Sequence, residues 1–274
     1  VWLEFRPLAY QSHPYQWATI GKNIQHIEEA TMDDVKAFFK RFYTPSNAIL
    51  CVAGNLELDY VKTAVQKWFG DIPAVELPKR NLPKEPIQNE YRTKEIERKV
   101  PSDAFYYGFK MPGRTEEGYY TSDLLSDVLG RGQSSRLFVR LKKELDLVSE
   151  INAYVMGSHD TGLLMISGKA NDGVDLNKID EEIWKVIDEV KAAEISAIEH
   201  QKNVNKVRTT KVFSDQGILN KAMGLCLHEL FGDANGINLE SQYYDAIQPK
   251  DIWESAHTIL RQSNCSRMFI KAIK

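Results

Sequence analysis

The sequence predicts an α+β fold in which helices pack on one face of a largely antiparallel sheet. Three observations predict this class. Helical and strand-like segments mix without a regular β–α–β alternation, two apolar runs are joined by a short polar turn, and one helix–turn–strand segment occurs twice. Such an order is typical of helices segregated to one face of an antiparallel sheet.

The first third of the chain predicts two helices on either side of a strand. Thr31 and Asp34 have capping-box spacing, which predicts the start of a helix over 32–43. The apolar residues of this helix fall on one face: Val35, Phe38, Phe39 and Phe42. The run "AILCVAG" is predicted to be a buried strand that ends in glycine, and a second helix is predicted over 58–69.

The remaining elements follow from apolar spacing. A strand is predicted over 103–111, and "INAYVMG" and "GLLMISGKA" form a hairpin around the turn "SHDT". Further helices are predicted over roughly 195–231 and beyond it, before a last strand at 266–272. One clean amphipathic helix is marked by Leu176, Ile179, Ile183, Val186, Ile187 and Val190.

Two distant segments share one pattern without gaps. Residues 31–54 and 248–271 each place an acidic residue early in a helix, then apolar positions at helical spacing, then Ser-Asn and a short apolar run. Asp34 corresponds to Asp251 and Ser46 to Ser263, at a constant offset of 217 residues. This register predicts an internal duplication, of which the chain holds one full copy and the tail of another.

A proline-rich segment separates the two copies. Residues 70–93 contain Pro73, Pro78, Pro83 and Pro86 and show little periodicity. Because proline lacks an amide donor and disfavours helix at the preceding residue, an extended linker is predicted here.

Composition excludes several classes of protein. The chain has 274 residues, a net charge of −3 and 43% hydrophobic residues, so it is an ordinary globular sequence with no electrostatic argument for nucleic-acid binding. No run reaches the ~20 apolar residues of a membrane span. The three scattered cysteines do not indicate a disulfide framework.

The histidines do not form a metal-binding pattern. A catalytic zinc site usually needs two histidines one helical turn apart, and no such pair is present. His228 and Glu229 begin an H-E-x-x-H pattern, but Gly232 stands where the second histidine would be. His13 is interpreted as a turn residue and His159 as a solvated residue of the hairpin turn.

Two segments carry a family resemblance. "HPYQWATIGKNIQHIEEATMDDVKAFFKRFYTPSNAILCVAGNL" resembles the end of the first half of a pitrilysin/insulinase-type (inverzincin) zinc metallopeptidase, a family that includes the mitochondrial processing peptidases. "LLSDVLGRGQSSRLFVRLKKELDLVSEINAYV" resembles the start of the second half. The resemblance implies duplicated half-domains, each a two-layer sandwich of the LuxS/metallopeptidase-like type.

The resemblance also implies where the chemistry lies. The active half of the family carries H-x-x-E-H on a helix, in which two histidines bind zinc and the glutamate acts as general base. In this chain "SDLLSDVL", residues 122–129, occupies that helix with Asp and Ser in place of the ligands. We therefore expect no catalytic residue and no metal ligand in this chain, and a zinc motif upstream of Val1.

The implied domain organisation has three parts. Residues 1–69 are expected to be the tail of the first, peptidase half-domain, and residues 70–93 the linker. Residues 94–274 are expected to be the second, inactive half-domain. Glu4 is interpreted as an ordinary residue of an amphipathic helix.

The second half of the family also contributes an arginine and, seven positions later, a tyrosine that reach toward the substrate. The resemblance places the arginine at Arg140 and the tyrosine at Leu147, which cannot donate a hydrogen bond to a substrate carbonyl. Tyr154 is a substitute candidate for substrate binding. The alternative for Arg140 is a surface ion pair with Glu144 at i+4.

The function implied is that of the inactive C-terminal part of a zinc-dependent metalloendopeptidase, forming one wall of a peptide-binding chamber. Its partners would be a peptide or unfolded substrate, the active half and a further subunit in a homo- or heterodimer. The alternative is a non-catalytic core subunit of a two-component peptidase. Whether the full protein is an enzyme, and whether it is periplasmic, secreted or cytoplasmic, stays open at this point.

Overall fold

The computed structural model describes residues 1–77 and 79–273, which form two compact units. Unit 1 comprises Val1–Gln16, Pro83–Val207 and the residues from Ser241 onward. Unit 2 comprises Trp17–Leu82 and Arg208–Glu240. Each unit therefore contains residues from both sides of the linker predicted over 70–93. The domain boundaries inferred from the resemblance stay a prediction.

The helices begin and end as follows: α1 Trp2–Ala9, α2 Gln25–Glu28, α3 Met32–Phe42, α4 Leu58–Phe69, α5 Tyr119–Gly130, α6 Leu176–Ala192, α7 Ala197–Ser214, α8 Ile218–Leu230, α9 Gly236–Ala246 and α10 Pro249–Ile259. The strands are β1 Arg92–Arg98, β2 Ala104–Met111, β3 Val148–Met156, β4 Gly162–Ala170 and β5 Cys265–Ala272. A π-helix, Phe138–Glu144, precedes β3. In the described residues, no helix is long and apolar enough to cross a membrane.

Unit 1 is built on one sheet with the strand order β1-β5-β2-β4-β3. β1 runs parallel to β5, and every other neighbouring pair is antiparallel. The predicted hairpin is formed by β3 and β4, with Ile151 opposite Gly168. The prediction of an α+β fold with a largely antiparallel sheet is confirmed.

The main core lies between one face of the sheet and the helices α5, α6 and α10. Phe105, Tyr107 and Phe109 of β2 are fully buried on this side. The predicted apolar face of α6 is buried as a whole, at Leu176, Ile179, Ile183, Val186, Ile187 and Val190. Its N-cap is Asp175, whose carboxylate accepts a hydrogen bond from the Asn177 nitrogen.

A second, smaller core lies on the opposite face of the sheet, where α1 packs. Phe5, Ala9 and Tyr10 contact residues of three strands: Ala104, Leu163, Met165, Met268 and Ile270. Phe5 fills the space above Gly108, where an added Cβ would lie 2.8 Å from the ring. Glu4, on the same helix, is ion-paired to Lys94 at 2.6 Å and Arg98 at 2.8 Å.

The predicted repeat is present at the level of helices and turns. α3 and α10 begin at residues 32 and 249, and the 3₁₀ turns that follow are Pro45–Asn47 and Gln262–Asn264, so each bound is displaced by 217. Both helices have a capping box, formed by Thr31 with Asp34 and by Gln248 with Asp251. Equal local signals have produced equal local structure.

The segment 48–54, which the sequence predicts to be a buried strand, is neither paired nor buried in the described part of the chain. Residues 48–53 pair with no strand in the described part of the chain, and Leu50 and Val52 are 58% and 49% exposed. Its counterpart β5 is hydrogen-bonded on both sides. The apolar run has strand propensity, but pairing requires neighbouring strands, which the described residues do not supply.

Glu85 attaches the segment predicted to be the linker to the turn after α1 and to strand β2. The Glu85 carboxylate accepts hydrogen bonds from the backbone amides of Gln11, Ser12 and His13 at 2.9–3.0 Å. It also forms an ion pair with Lys110 Nζ at 2.5 Å. The side chains of Glu85 and Lys110 are 1% and 7% exposed. Burial would raise the pKa of Glu85, but Lys110 and the three amides lower it to about 2.

We expect Glu85→Gln to destabilise the protein by about 3–5 kcal/mol at neutral pH, because the buried Lys110 ammonium would lose its counter-charge. The folded-state pKa of Glu85 is below the unfolded value of about 4.3, so its contribution is present above pH 4.3 and is lost as the pH falls through 2. Urea unfolding at several pH values measures both effects.

Glu90→Gln is the matched control for this experiment. Glu90 lies in the same segment, is ion-paired to Arg92 at 3.2 Å and is 68% exposed, so its loss should cost less than about 1 kcal/mol. Equal, small effects of both substitutions would show that Glu85 does not anchor the segment.

Candidate functional site

Helix α5 is the helix that the resemblance places where an active half would hold its zinc ligands. Leu124, Leu125 and Leu129 of α5 are fully buried in the main core. Gly130, at the end of the helix, lies so close to β3 that an added Cβ would be 2.3 Å from the Ala153 nitrogen. The helix is therefore held by packing on the sheet.

Three polar side chains of α5 have partners within the protein. Ser122 Oγ donates to the Gly118 carbonyl at 2.6 Å, and Ser126 Oγ donates to the Asp123 carbonyl at 2.8 Å. Asp123 Oδ2 accepts a hydrogen bond of 2.5 Å from the Tyr244 hydroxyl on α9. These groups serve local structure and the packing of α9.

Asp127 of α5 has a hydrogen-bond partner for one carboxylate oxygen and none for the other in the described residues. It is 1% exposed, and Oδ1 accepts a hydrogen bond from Arg131 Nη1 at 3.3 Å. Oδ2 is buried and has no hydrogen-bond partner within residues 1–77 and 79–273. Burial raises the pKa of Asp127 to about 6, although the positive charges of Arg131 and Lys206 oppose the rise.

These residues do not fit a zinc site. The described residues contain no group of three or more His, Cys, Asp and Glu side chains that could hold a metal ion. Asp123 is bound to Tyr244, and Asp127 faces two cationic side chains, which would repel a metal ion. Helix α5 thus lacks, among the described residues, the donor set that a zinc ion requires.

The histidines singled out in the sequence belong to elements other than α5. His13 is 2% exposed in the turn after α1, where Nε2 lies 3.2 Å from Asp160 Oδ2 and Nδ1 accepts the Tyr15 amide hydrogen. His159 is exposed in the hairpin turn, and His228 is a buried residue of α8.

Arg140 lies in the π-helix and has two carboxylate partners. Its Nε donates to Glu182 Oε2 at 2.9 Å, and its Nη1 donates to Glu144 Oε2 at 3.3 Å. The side chain is 38% exposed. The ion pair with Glu144 at i+4 is thus present, and Glu182, 42 residues away on α6, is the partner that sequence reasoning missed. The predicted contact with substrate stays a prediction.

Leu147 and Tyr154 occupy different environments. Leu147 is 4% exposed in the main core, so the position of the family's tyrosine is filled by an apolar packing residue. Tyr154, on β3, packs against the smaller core on the opposite face, where burial raises its pKa. Arg140 pairs with α6, which covers the main core, so the structure does not bring Arg140 and Tyr154 together.

The sheet and helices of unit 1 have the architecture of a zinc-peptidase half-domain. The sequence profile of the Peptidase M16 inactive domain matches residues 29–207. The chain belongs to this family.

The relatives agree with this assignment. The chain is 28% identical over 207 residues to the zinc protease PqqE of Helicobacter pylori, covering 74% of this chain and 46% of that protein. It is 25% identical over 250 residues to an uncharacterized zinc protease, YmxG, of Bacillus subtilis, covering 84% of this chain and 58% of that protein. The chain spans about half the length of the curated relatives it matches.

A solved structure shows the same fold. The crystal structure of a protease from Helicobacter pylori superposes with a TM-score of 0.89 at 24% sequence identity, covering 97% of this chain and 65% of that chain.

We expect Asp127→Asn to stabilise the protein near neutral pH. The folded-state pKa of about 6 lies above the unfolded value of about 3.9, so the ionised carboxylate is disfavoured in the folded state. Stability should fall by about 1.4 kcal/mol per pH unit between these values as the pH rises. The neutral amide should abolish this fall, which urea unfolding between pH 4 and 7 would measure.

Asp188→Asn is a suitable control, because Asp188 is 72% exposed on α6 and forms a surface ion pair with Lys191 at 3.2 Å. It should change stability by less than about 0.5 kcal/mol at every pH. If the unfolding free energy of Asp127→Asn depended on pH in the same way as that of the unchanged protein, the raised pKa of Asp127 would be contradicted.

Proposed function

We propose that this chain forms the catalytically silent wall of a peptide-binding chamber in a zinc metalloendopeptidase. The observation that supports the proposal is the match to an inactive peptidase domain whose α5 helix carries Ser and Asp where zinc ligands would stand. The zinc and the general base would belong to an active half encoded upstream. The longer zinc proteases among the relatives are consistent with this division.

The chain's own contribution would be to bind and orient an extended substrate. The sheet of unit 1 ends in β1 and β3. β1 carries the charged sequence "RTKEIER", a pattern that blocks edge-to-edge pairing, whereas the end of β3, "NAYVM", is uncharged. We therefore assign strand addition by a peptide to the β3 edge.

A second candidate function is a non-catalytic core subunit of a two-component peptidase. The observation that favours it is Leu147, a buried residue where the family has a substrate-contacting tyrosine. The two candidates differ in the upstream sequence, since only the first requires H-x-x-E-H there.

The deciding measurement is zinc content and peptidase activity of the longer protein. We expect one tightly bound zinc per molecule after dialysis and cleavage of unfolded peptides, and neither in the chain described here. A longer protein without zinc and without activity would support the core subunit. Zinc tightly bound to residues 1–274 alone would contradict both candidates.

The proposal includes Arg140 as a residue that contacts the peptide. Its hydrogen bonds to Glu182 and Glu144 use Nε and Nη1, and a guanidinium has five N–H donors in a fixed fork, so further donors can reach a carbonyl or carboxylate. In an active longer protein, Arg140→Ala should lower kcat/KM about ten- to a thousand-fold if the contact supplies about 1.4–4 kcal/mol.

Glu144→Gln provides the control, because it weakens the surface ion pair and keeps the guanidinium. It should leave kcat/KM within about twofold, as expected for an exposed pair. If both variants retain the activity of the unchanged enzyme, Arg140 serves only as an ion-pair partner of Glu182 and Glu144.

A further inference from the structure

Glu182 is a nearly buried carboxylate beside Arg140. It lies on α6 between Ile179 and Ile183, which are fully buried in the main core, and its side chain is 10% exposed. It accepts a hydrogen bond from Arg140 Nε at 2.9 Å and forms a second ion pair with Lys185 Nζ at 2.7 Å. Lys185 and Arg140 lower the pKa of Glu182, which keeps this carboxylate ionised at neutral pH.

The guanidinium of Arg140 is held at two of its three nitrogens. Nε is bonded to Glu182, and Nη1 is bonded to Glu144 at 3.3 Å. Glu182 belongs to a helix that packs in the main core, whereas Glu144 is 53% exposed, so Glu182 is the firmer of the two anchors. Nη2 forms no hydrogen bond to another residue within 1–77 and 79–273, and it carries two N–H donors in the plane that the anchors fix.

The backbone around Arg140 has an irregular form. Residues 138–144 form a π-helix, in which the Leu145 amide donates to the Arg140 carbonyl, five residues back, at 3.2 Å. The extra residue in such a turn changes the direction of the side chains that follow, and π-helical turns occur frequently at functional sites. The π-helix therefore supports a specific orientation of the Arg140 side chain toward Glu182.

The charges around Arg140 cancel. Arg140 and Lys185 carry two positive charges, and Glu182 and Glu144 carry two negative charges, in one connected set of ion pairs. A neutral set of this kind does not attract an anion from solution, and the two carboxylates repel an anion at close range. A peptide carbonyl has no net charge and needs only a donor, so it suits Nη2 better than a carboxylate does.

We infer that Glu182 is a positioning residue that orients Arg140 and cancels its charge, so that Nη2 donates to a backbone carbonyl of an extended peptide and not to a carboxylate. The inference rests on the proposed function, from which it takes the contact between Arg140 and the peptide. It adds the class of group that is recognised. Because every residue of a peptide offers such a carbonyl, the site accepts peptides of different sequence and disfavours acidic side chains.

The test uses two internally quenched, unstructured peptides of equal length, which carry Gln or Glu at the same alternate positions. In the longer protein, Glu182→Gln should lower kcat/KM for the Gln peptide about tenfold, because the guanidinium loses its firmer anchor. It should also raise the kcat/KM ratio of the Glu peptide to the Gln peptide at least about tenfold, since the positive charges of Arg140 and Lys185 are no longer cancelled.

Glu182→Asp separates orientation from charge. The shorter side chain keeps its negative charge but does not reach Nε in the same geometry. It should lower kcat/KM for both peptides and leave their ratio within about twofold. The double variant of Glu182→Gln with Arg140→Ala should be no less active than Arg140→Ala alone, because Glu182 acts through the guanidinium.

Glu199→Gln is the matched control. Glu199 lies on α7, is 19% exposed and forms a two-point ion pair with Arg136 at 3.1 and 2.8 Å. Its loss should lower the thermal midpoint to an extent similar to Glu182→Gln, while kcat/KM and the peptide ratio stay within about twofold. An unchanged ratio in Glu182→Gln, or additive losses in the double variant, would overturn the positioning role.

Binding measurements distinguish this role from the proposed function. Dissociation constants of the same two peptides, from fluorescence anisotropy, give the ratio without catalysis. A longer protein that shows the ratio change but has neither zinc nor activity would refute the enzyme and support the positioning role. Zinc and activity with an unchanged ratio would overturn the positioning role alone, and so would activity on both peptides that Arg140→Ala leaves unchanged.

Discussion

One buried carboxylate, that of Glu85, binds the turn after α1 to the sheet of unit 1. Glu85 lies in the proline-rich segment, yet it receives three amide hydrogens from residues 11–13 and the ammonium of Lys110 on β2. A carboxylate with almost no solvent contact is tolerated only with such a set of donors. Glu85 acts together with the hydrogen bond from Tyr10 to the Thr161 carbonyl and the packing of Phe5 in the smaller core. The segment predicted to be an extended linker is thus, at Glu85, bound into folded unit 1.

Helix α5 is held on the sheet by close packing. The packing of Leu124, Leu125 and Leu129 and the close approach of Gly130 to β3 depend on shape and volume. Polar side chains of the helix have partners within the protein, such as Tyr244 for Asp123. One oxygen of Asp127 is buried without a partner in the described residues, and the charge of this carboxylate is disfavoured.

The duplicated segments separate local from tertiary effects. α3 and α10 share helix bounds, capping boxes and the following 3₁₀ turn, because these depend on residues within a few positions of each other. Their burial is opposite, because burial depends on what packs against the helix. The same reasoning explains why an apolar run became the central strand β5 in one copy and an unpaired segment in the other.

The sequence by itself determined the α+β class, the hairpin of β3 and β4, the apolar face of α6 and the register of the repeated helix and turn, because these follow from residue spacing and composition. It also indicated the Arg140–Glu144 pair, a contact within one helical turn. Only the tertiary structure decided the strand order, the second core under α1, the Glu85 anchor, the Arg140–Glu182 pair and the raised pKa of Asp127. Each of these depends on groups that lie far apart in the chain and meet only when the sheet forms, and no local pattern records which distant donor, charge or apolar side chain will be there.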